Sequence, residues 1–389
     1  MTKCNSSIEG HACMTRREAL AVVSAGLFSV RRAQELKPSA GRTLEPPPAG
    51  VTGILKRLLA QPPSTINTDW FGTMILVGAL RWHHRVPEVE AFALAWLTHH
   101  LNTTDVAPYS GNRSRTVRAG GIPLTTYAGH FGISQVCEQL VVLFGNQRAR
   151  KVAVDVANIV LHRTARNRLG LIAHDDTADF AIPDVTFLAV SSLMIGAALD
   201  SNNATAYRNQ ALYELRTSIE TFLIKDIGLA KTVYLNDGIG RTSWTRASGW
   251  LFWAITAMLG RLDAKHSAFT GFRSDLRTLA DGMSRVQEPN GGFHVLLDDP
   301  STPLDVSGPA MFALAVHESV RRGWLPHQYL SAALRAWRFV TANLTDDGVL
   351  HNTYDLWALP AENREMRVRD VESGWAMGFV LAAAHEMTL

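Results

Sequence analysis

The sequence predicts an all-α protein in which six helical hairpins close into an (α/α)6 toroid, and three observations carry that prediction. Apolar residues recur at three- and four-residue spacing in about twelve segments beyond residue 50, beginning near residues 51, 68, 87, 128, 147, 184, 204, 245, 267, 306, 327 and 373. Short links at Gly145-Asn146-Gln147, Ser201-Asn202-Asn203 and Arg322 to Pro326 alternate with long ones near 103–126, 165–183, 226–243, 288–304 and 345–372. This is the rhythm of hairpins whose long loops gather at one end of a ring, where a site on a rigid scaffold is expected. The 389 residues, 47% of them hydrophobic, suffice for one large core, and the unequal segments show no period of the kind an α-solenoid requires.

At the N-terminus, Thr15-Arg16-Arg17-Glu18-Ala19-Leu20 runs into the apolar stretch Ala19 to Val30. A charged region before a short apolar core resembles a twin-arginine export signal, so residues 1–34 are expected to be a leader and the protein periplasmic or secreted. No clear small-x-small cleavage site follows, and Arg31-Arg32 lies beyond the apolar core. Residues 35–50, with Pro46-Pro47-Pro48, read as a tether, leaving 51–389 as a single catalytic domain. Within it, Ile133 to Phe144 is a helix stopped by Gly145-Asn146. Leu330, Ala333, Leu334, Trp337, Val340 and Leu344 form one apolar stripe behind Pro326, after Gly323 ends the preceding helix.

Composition excludes several classes. A net charge of +3, dispersed without basic blocks, gives no nucleic-acid surface. No apolar run beyond the leader reaches the ~18 residues that a membrane span needs. Three cysteines supply neither a disulfide framework nor metal spacing, and Cys137, inside an apolar helix pattern, reads as a buried inert thiol. GxSxG, phosphate-loop, HExxH and CxxC motifs are absent, so a site must be assembled from dispersed residues.

The run Trp244-Thr245-Arg246-Ala247-Ser248-Gly249-Trp250 offers two indoles and a guanidinium at the mouth of an apolar helix. Indoles stack on pyranose rings and a guanidinium grips a carboxylate through paired hydrogen bonds, which suits a sugar acid; two core tryptophans with a capping arginine would read the same way. Asp184, in Pro183-Asp184-Val185-Thr186, opens a helix either as a plain cap or as a general acid/base whose pKa is raised by Asp175, Asp176 and Asp179. Tyr127 and His130 lie within one helical turn and could move protons as a pair, or simply pack. His174 is a candidate proton shuttle or substrate donor. His294, after Gly291-Gly292, and Asp305, before Ser307-Gly308, end another long loop and are candidate substrate ligands.

Together these motifs resemble the unsaturated uronyl hydrolases of glycoside hydrolase families 88 and 105. The likeness lies in Asp184 opening its helix, the Trp244 to Trp250 run, the turn Gln287-Glu288-Pro289-Asn290-Gly291-Gly292, the start Asp305-Val306-Ser307-Gly308-Pro309-Ala310-Met311-Phe312, and Asp346-Asp347-Gly348-Val349-Leu350. It covers about residues 125 to 350 in order. The resemblance implies an (α/α)6 barrel, with no metal or organic cofactor, acting on oligosaccharides that end in a 4,5-unsaturated uronic acid. In that chemistry an aspartate protonates C4 and activates water for C5. It implies Asp184 as this acid/base, Arg246 as a ligand of polar substrate groups, and Trp244 and Trp250 as walls of the sugar subsite. The chain departs from the family at one place: a second aspartate is expected about five residues before the glycine matching Gly132, where Thr125, Thr126 and Tyr127 stand. That removes a carboxylate able to tune Asp184 or orient water.

Three readings follow. The first is hydration of the vinyl ether at a non-reducing terminal uronic acid. The second keeps the barrel and changes the reaction, either to hydrolysis of a saturated glucuronide by two carboxyls or to β-elimination by Tyr127 and His130 beside an arginine. The third is a sugar-binding toroid without catalysis. An acidic oligosaccharide is the expected partner in each, and oligomeric state is not legible.

Overall fold

Twelve α-helices among the described residues form two concentric layers. The computed structural model describes residues 47–104, 114–177, 180–232, 234–235, 238–239, 243–354 and 373–389, so the expected leader and most of the tether lie outside the described residues. In chain order the helices are α1 (Ala49–Leu59), α2 (Trp70–Leu80), α3 (Glu88–Asn102), α4 (Ile133–Phe144), α5 (Gln147–His162) and α6 (Pro183–Leu199). They continue as α7 (Ala204–Phe222), α8 (Thr245–Leu259), α9 (Phe269–Arg285), α10 (Ser307–Arg321), α11 (Leu330–Ala342) and α12 (Gly374–Glu386). The even-numbered helices pack each on the next, and α12 returns to α2, closing a ring of six; the odd-numbered helices lie outside it.

Sequence character sorts the layers. Inner helix α6 is apolar nearly all round and buried from Val185 to Gly196, whereas α7 buries one stripe through Tyr207, Ala211, Leu215, Ile219 and Phe222. The few polar groups inside pair with one another, as Ser134 Oγ with Ser192 Oγ at 2.8 Å and Thr186 Oγ1 with Ser218 Oγ at 2.8 Å. Local signals end the helices: Asp69 accepts the Phe71 amide at the start of α2, Gly145 turns left-handed (φ 67) after α4, and Asn146 accepts the Ala149 amide to open α5. The expected stripe of α11 faces the core through Leu330, Ala333, Trp337, Val340 and Leu344, joined by Ala332, Ala336 and Phe339; Leu334 alone of that stripe is exposed, because the helix packs on α10 through its small side chains. Cys137 is buried and free, and burial pushes its thiol well above the ordinary range.

The long links carry short antiparallel strands that helical periodicity does not register. They are β1 (Thr116–Ala119), β2 (Ile122–Thr125), β3 (Phe180–Ala181), β4 (Leu223–Ile224), β5 (Leu229–Ala230), β6 (Tyr234–Leu235), β7 (Gly238–Ile239), β8 (Phe293–His294) and β9 (Leu304–Asp305). The strands pair as β1-β2, β3-β6-β7, β4-β5 and β8-β9. Neighbouring inner helices run parallel: Gly374 lies against Phe71 and Gly378 against Met74, while Gly308 meets Thr245 and Gly249 meets Met311. The starts of the inner helices therefore gather at one end of the ring.

The ring closes where first and last inner helices touch through glycine. A Cβ on Gly378 would stand 2.1 Å from the Met74 carbonyl oxygen, and one on Gly78 2.2 Å from that of Gly378. Gly378→Ala is expected to force α2 and α12 apart and to cost about 1–3 kcal/mol in chemical denaturation. Gly271→Ala, on α9 with nothing near the added methyl, is expected to be neutral or mildly stabilising.

Candidate active site

Asp184 is the second residue of α6. Pro183 precedes it at the first helical position, where no amide is needed, and no side chain caps the helix. The aspartate is thus not a cap: its Oδ1 is buried with no hydrogen-bond partner among the described residues. Burial pushes the carboxyl up to about 6, opposed first by the Arg246 charge, then by its own amide, His174 and the Trp250 indole. The cause is burial rather than the expected acidic neighbours. Asp175 is held down to about 2, chiefly by His174; Asp176 binds Arg115 at 3.0 Å; Asp179 lies outside the described residues.

Arg246 sits one residue into α8, whose start is held by the Thr245 amide on the Val295 carbonyl. Its guanidinium is buried 3.8 Å from the Trp244 ring centroid, 4.4 Å from Trp375 and 5.5 Å from Trp70, and it donates to the Tyr354 carbonyl at 3.2 Å. Asp305 fixes this arrangement from behind. It accepts from the Ser307 hydroxyl, from the Gly308 amide at 3.0 Å and from the Tyr354 amide at 3.2 Å. Burial raises its pKa while those donors and Arg246 lower it. Asp305 was expected among the substrate ligands; its buried carboxylate instead accepts the Gly308 amide in the first turn of α10 and the Tyr354 amide, and through Tyr354 it positions Arg246.

Trp250 also departs from expectation. It is wholly buried between Trp70 at 6.2 Å, Phe187 at 5.2 Å and Phe379 at 5.1 Å, so it offers no open face to a sugar and forms the floor beneath Asp184. Trp244 is nearly as buried, its face covered by Arg246.

Tyr127, His130 and His174 meet: Tyr127 and His130 pack edge to face at 5.7 Å, the packing alternative for that pair. His130 is buried, its Nδ1 engaged by the Thr125 amide at 3.0 Å, and burial lowers its pKa to about 4, so it is neutral and locked near neutral pH. Tyr127 turns its ring edgewise to His174 at 4.9 Å, and His174 stacks on Phe180 at 5.1 Å. The His174 carbonyl accepts the Ala128 amide at 3.1 Å, tying its loop to the turn that leads into α4. Buried Glu214 on α7 holds the same loop through the Ile172 amide at 3.0 Å. His294 does not join the cluster through any described contact: its ring is engaged by the Thr302 carbonyl and, at 3.3 Å, by Glu288 within its own loop.

The structure therefore brings together Asp184, Arg246, Trp244, Trp250, His174 and Tyr127, and sets Asp305 behind them. Trp70, Trp375 and Tyr354 complete the site without having been singled out from sequence. Trp375 did leave a signal, since Ser373-Gly374-Trp375 repeats Ser248-Gly249-Trp250 near the start of another inner helix. Among the described residues, no three His, Cys, Asp or Glu side chains gather as a metal site, and no helix is long and apolar enough to cross a membrane.

Comparison with known proteins bears on family and fold. Glycosyl Hydrolase Family 88 matches residues 125–389. The unsaturated rhamnogalacturonyl hydrolase YesR of Bacillus subtilis (strain 168) is 24% identical over 196 residues, 48% of this chain and 55% of the relative. The unsaturated 3S-rhamnoglycuronyl hydrolase of Alteromonas sp. (strain LOR) is 27% identical over 151 residues, 38% of this chain and 35% of the relative. The chain thus spans about half, or less, of the length of these relatives. A solved structure from Klebsiella pneumoniae subsp. pneumoniae MGH 78578, a possible GH105 member, shares the fold with a TM-score of 0.73 at 17% identity, covering 87% of this chain and 92% of that one. The toroid, the ordered motifs and a family match over most of the chain lead to one conclusion: this protein belongs to Glycosyl Hydrolase Family 88.

Proposed function

We propose that the protein removes a terminal 4,5-unsaturated uronic acid from an oligosaccharide by hydrating its vinyl ether. The observation that carries the reading is Asp184: a partly exposed residue whose buried, uncapped carboxyl is raised to about 6 at the mouth of the inner ring, beside a fixed arginine. Such a carboxyl still holds a proton in mildly acidic solution, as a general acid must. It gives that proton to C4, a water oxygen bonds to C5, and the water proton returns to Asp184. The resulting hemiketal opens and expels the remaining sugar as an alcohol. Arg246 supplies a positive charge suited to a uronate, and the surrounding indoles keep that charge poorly hydrated and therefore strong.

Tyr127 stands in the region where the family's second aspartate is expected. Its edge contact with His174, itself 3.9 Å from Asp175, supports His174 as the group that orients the attacking water. Elimination by Tyr127 with His130 is disfavoured by the Thr125 contact that occupies His130.

Asp184→Asn is expected to lower kcat by about 10²–10⁴-fold with the circular dichroism spectrum unchanged, followed as loss of ultraviolet absorbance on lyase-generated oligosaccharides. A rise in absorbance would instead report elimination. Because the acid form of Asp184 is the active one and its pKa is raised, kcat/KM should be flat below about 6 and fall about tenfold per pH unit above it. A rate that increases with pH across that window contradicts the assignment. Asp305→Asn is expected to cost about 1–3 kcal/mol of stability and to raise KM more than it lowers kcat, since it loosens Arg246 without touching the reacting atoms.

A further inference from the structure

Glu214 is a buried carboxyl on outer helix α7 that touches none of the reacting groups, yet it reaches the loop that carries His174. Its Oε1 accepts the Ile172 amide at 3.0 Å, and its Oε2 lies 3.7 Å from the Arg166 guanidinium. Beside it on α7, the Tyr213 hydroxyl donates to the Leu169 carbonyl at 2.5 Å, so one helix grips both arms of the turn. The turn is also braced from within. Asn167 Oδ1 accepts the Leu169 and Leu171 amides at 2.9 and 3.1 Å, Arg166 pairs with Ile172 as an isolated bridge, and the Ala173 amide reaches the Ala165 carbonyl at 3.0 Å. His174 follows directly, its carbonyl on the Ala128 amide at 3.1 Å and its ring against Tyr127 at 4.9 Å and Phe180 at 5.1 Å. The path from Glu214 to His174 thus has a bonded residue at each step.

Packing alone would be met by an apolar side chain of the same size. Glu214 differs from one in the acceptor it gives to Ile172 and in the carboxyl it sets near Arg166. Burial raises that carboxyl to about 7, opposed first by the Ile172 amide and then by Arg166. In the mildly acidic range where Asp184 acts, Glu214 is therefore neutral, and its part is that of a fixed acceptor. His174 in turn acts on Asp184, lowering its pKa against the rise that burial imposes.

We infer that Glu214 is a positioning residue for the reaction: through the Ile172 amide it fixes where His174 stands relative to Asp184. This rests on the reading of His174 as the group that orients the attacking water. Glu214→Leu, which keeps the bulk and removes the acceptor, is expected to lower kcat about tenfold and to leave KM within about twofold, because Arg246 is untouched. Glu214→Gln still accepts the Ile172 amide and should restore kcat to within about twofold of the unaltered protein. In Glu214→Leu the fall of kcat/KM above a pH of about 6 should begin at higher pH, since His174 recedes from Asp184. In a His174→Ala background Glu214→Leu should cost nothing further, whereas a loss of folded enzyme would multiply through. One arm needs no turnover. The His174 ring resonance, assigned by its absence in His174→Ala, should shift in Glu214→Leu and return in Glu214→Gln, while that of His294, held within its own loop, stays in place. This arm decides the proposal even where hydration is not the reaction. Losses that multiply, a Glu214→Gln as impaired as Glu214→Leu, an unmoved pH profile or an unmoved His174 resonance overturns it. Should Glu214→Leu fail to fold, Glu214→Asp, which pulls the acceptor back by one methylene, is read in the same way.

Discussion

A guanidinium buried among three indoles is the constraint on which the site depends. Removing an arginine from water is expensive, and the structure offsets that cost with the faces of Trp244, Trp375 and Trp70, the Tyr354 carbonyl, and the carboxylates of Asp305 and Asp184. These groups come from three inner helices, α2, α6 and α12, from the residue before α8, from strand β9 and from the loop at Tyr354, so Arg246 can be placed only when the ring is closed. The same charge is the leading influence that keeps Asp184 from rising still further under burial. Acid strength and ring architecture are therefore coupled through one side chain.

That coupling explains why the residues differ in what they can do. Of the two carboxyls that face Arg246, Asp184 keeps a buried oxygen without a hydrogen-bond partner among the described residues, which is what the proposed proton exchange requires. Asp305 lies deeper and holds three donors, which suits a strut and not a reagent. The indole of Trp250 closes the floor, packed among Trp70, Phe187 and Phe379.

Much of the architecture was legible because inner and outer helices obey different rules of burial, and caps such as Asn146 and Gly145 mark their ends. The paired strands were not, since two-residue ladders such as Phe293 with Asp305 are too short to leave an alternating pattern. Leu334 misled for a related reason: an amphipathic stripe drawn from large residues ignores that a helix packed close through alanines turns its leucine outward. At the site, Asp184, Arg246 and their neighbourhood could be read from residue type and position. Whether an aspartate is a reagent or a strut could not, because that depends on which amides the fold brings to it. Trp70 and Trp375 escaped because their partner, Arg246, is remote in sequence and apolar surroundings make any tryptophan look like core.

The glycine seam between α2 and α12 also fixes an order of events. Gly78 and Gly378 are separated by most of the polypeptide, yet the ring cannot close until they touch. Without α12, helices α1 to α11 can form only an open, curved stack with apolar edges on α2 and α10. Helix α12 is thus the keystone that covers both edges and, in the same step, delivers Trp375 to Arg246.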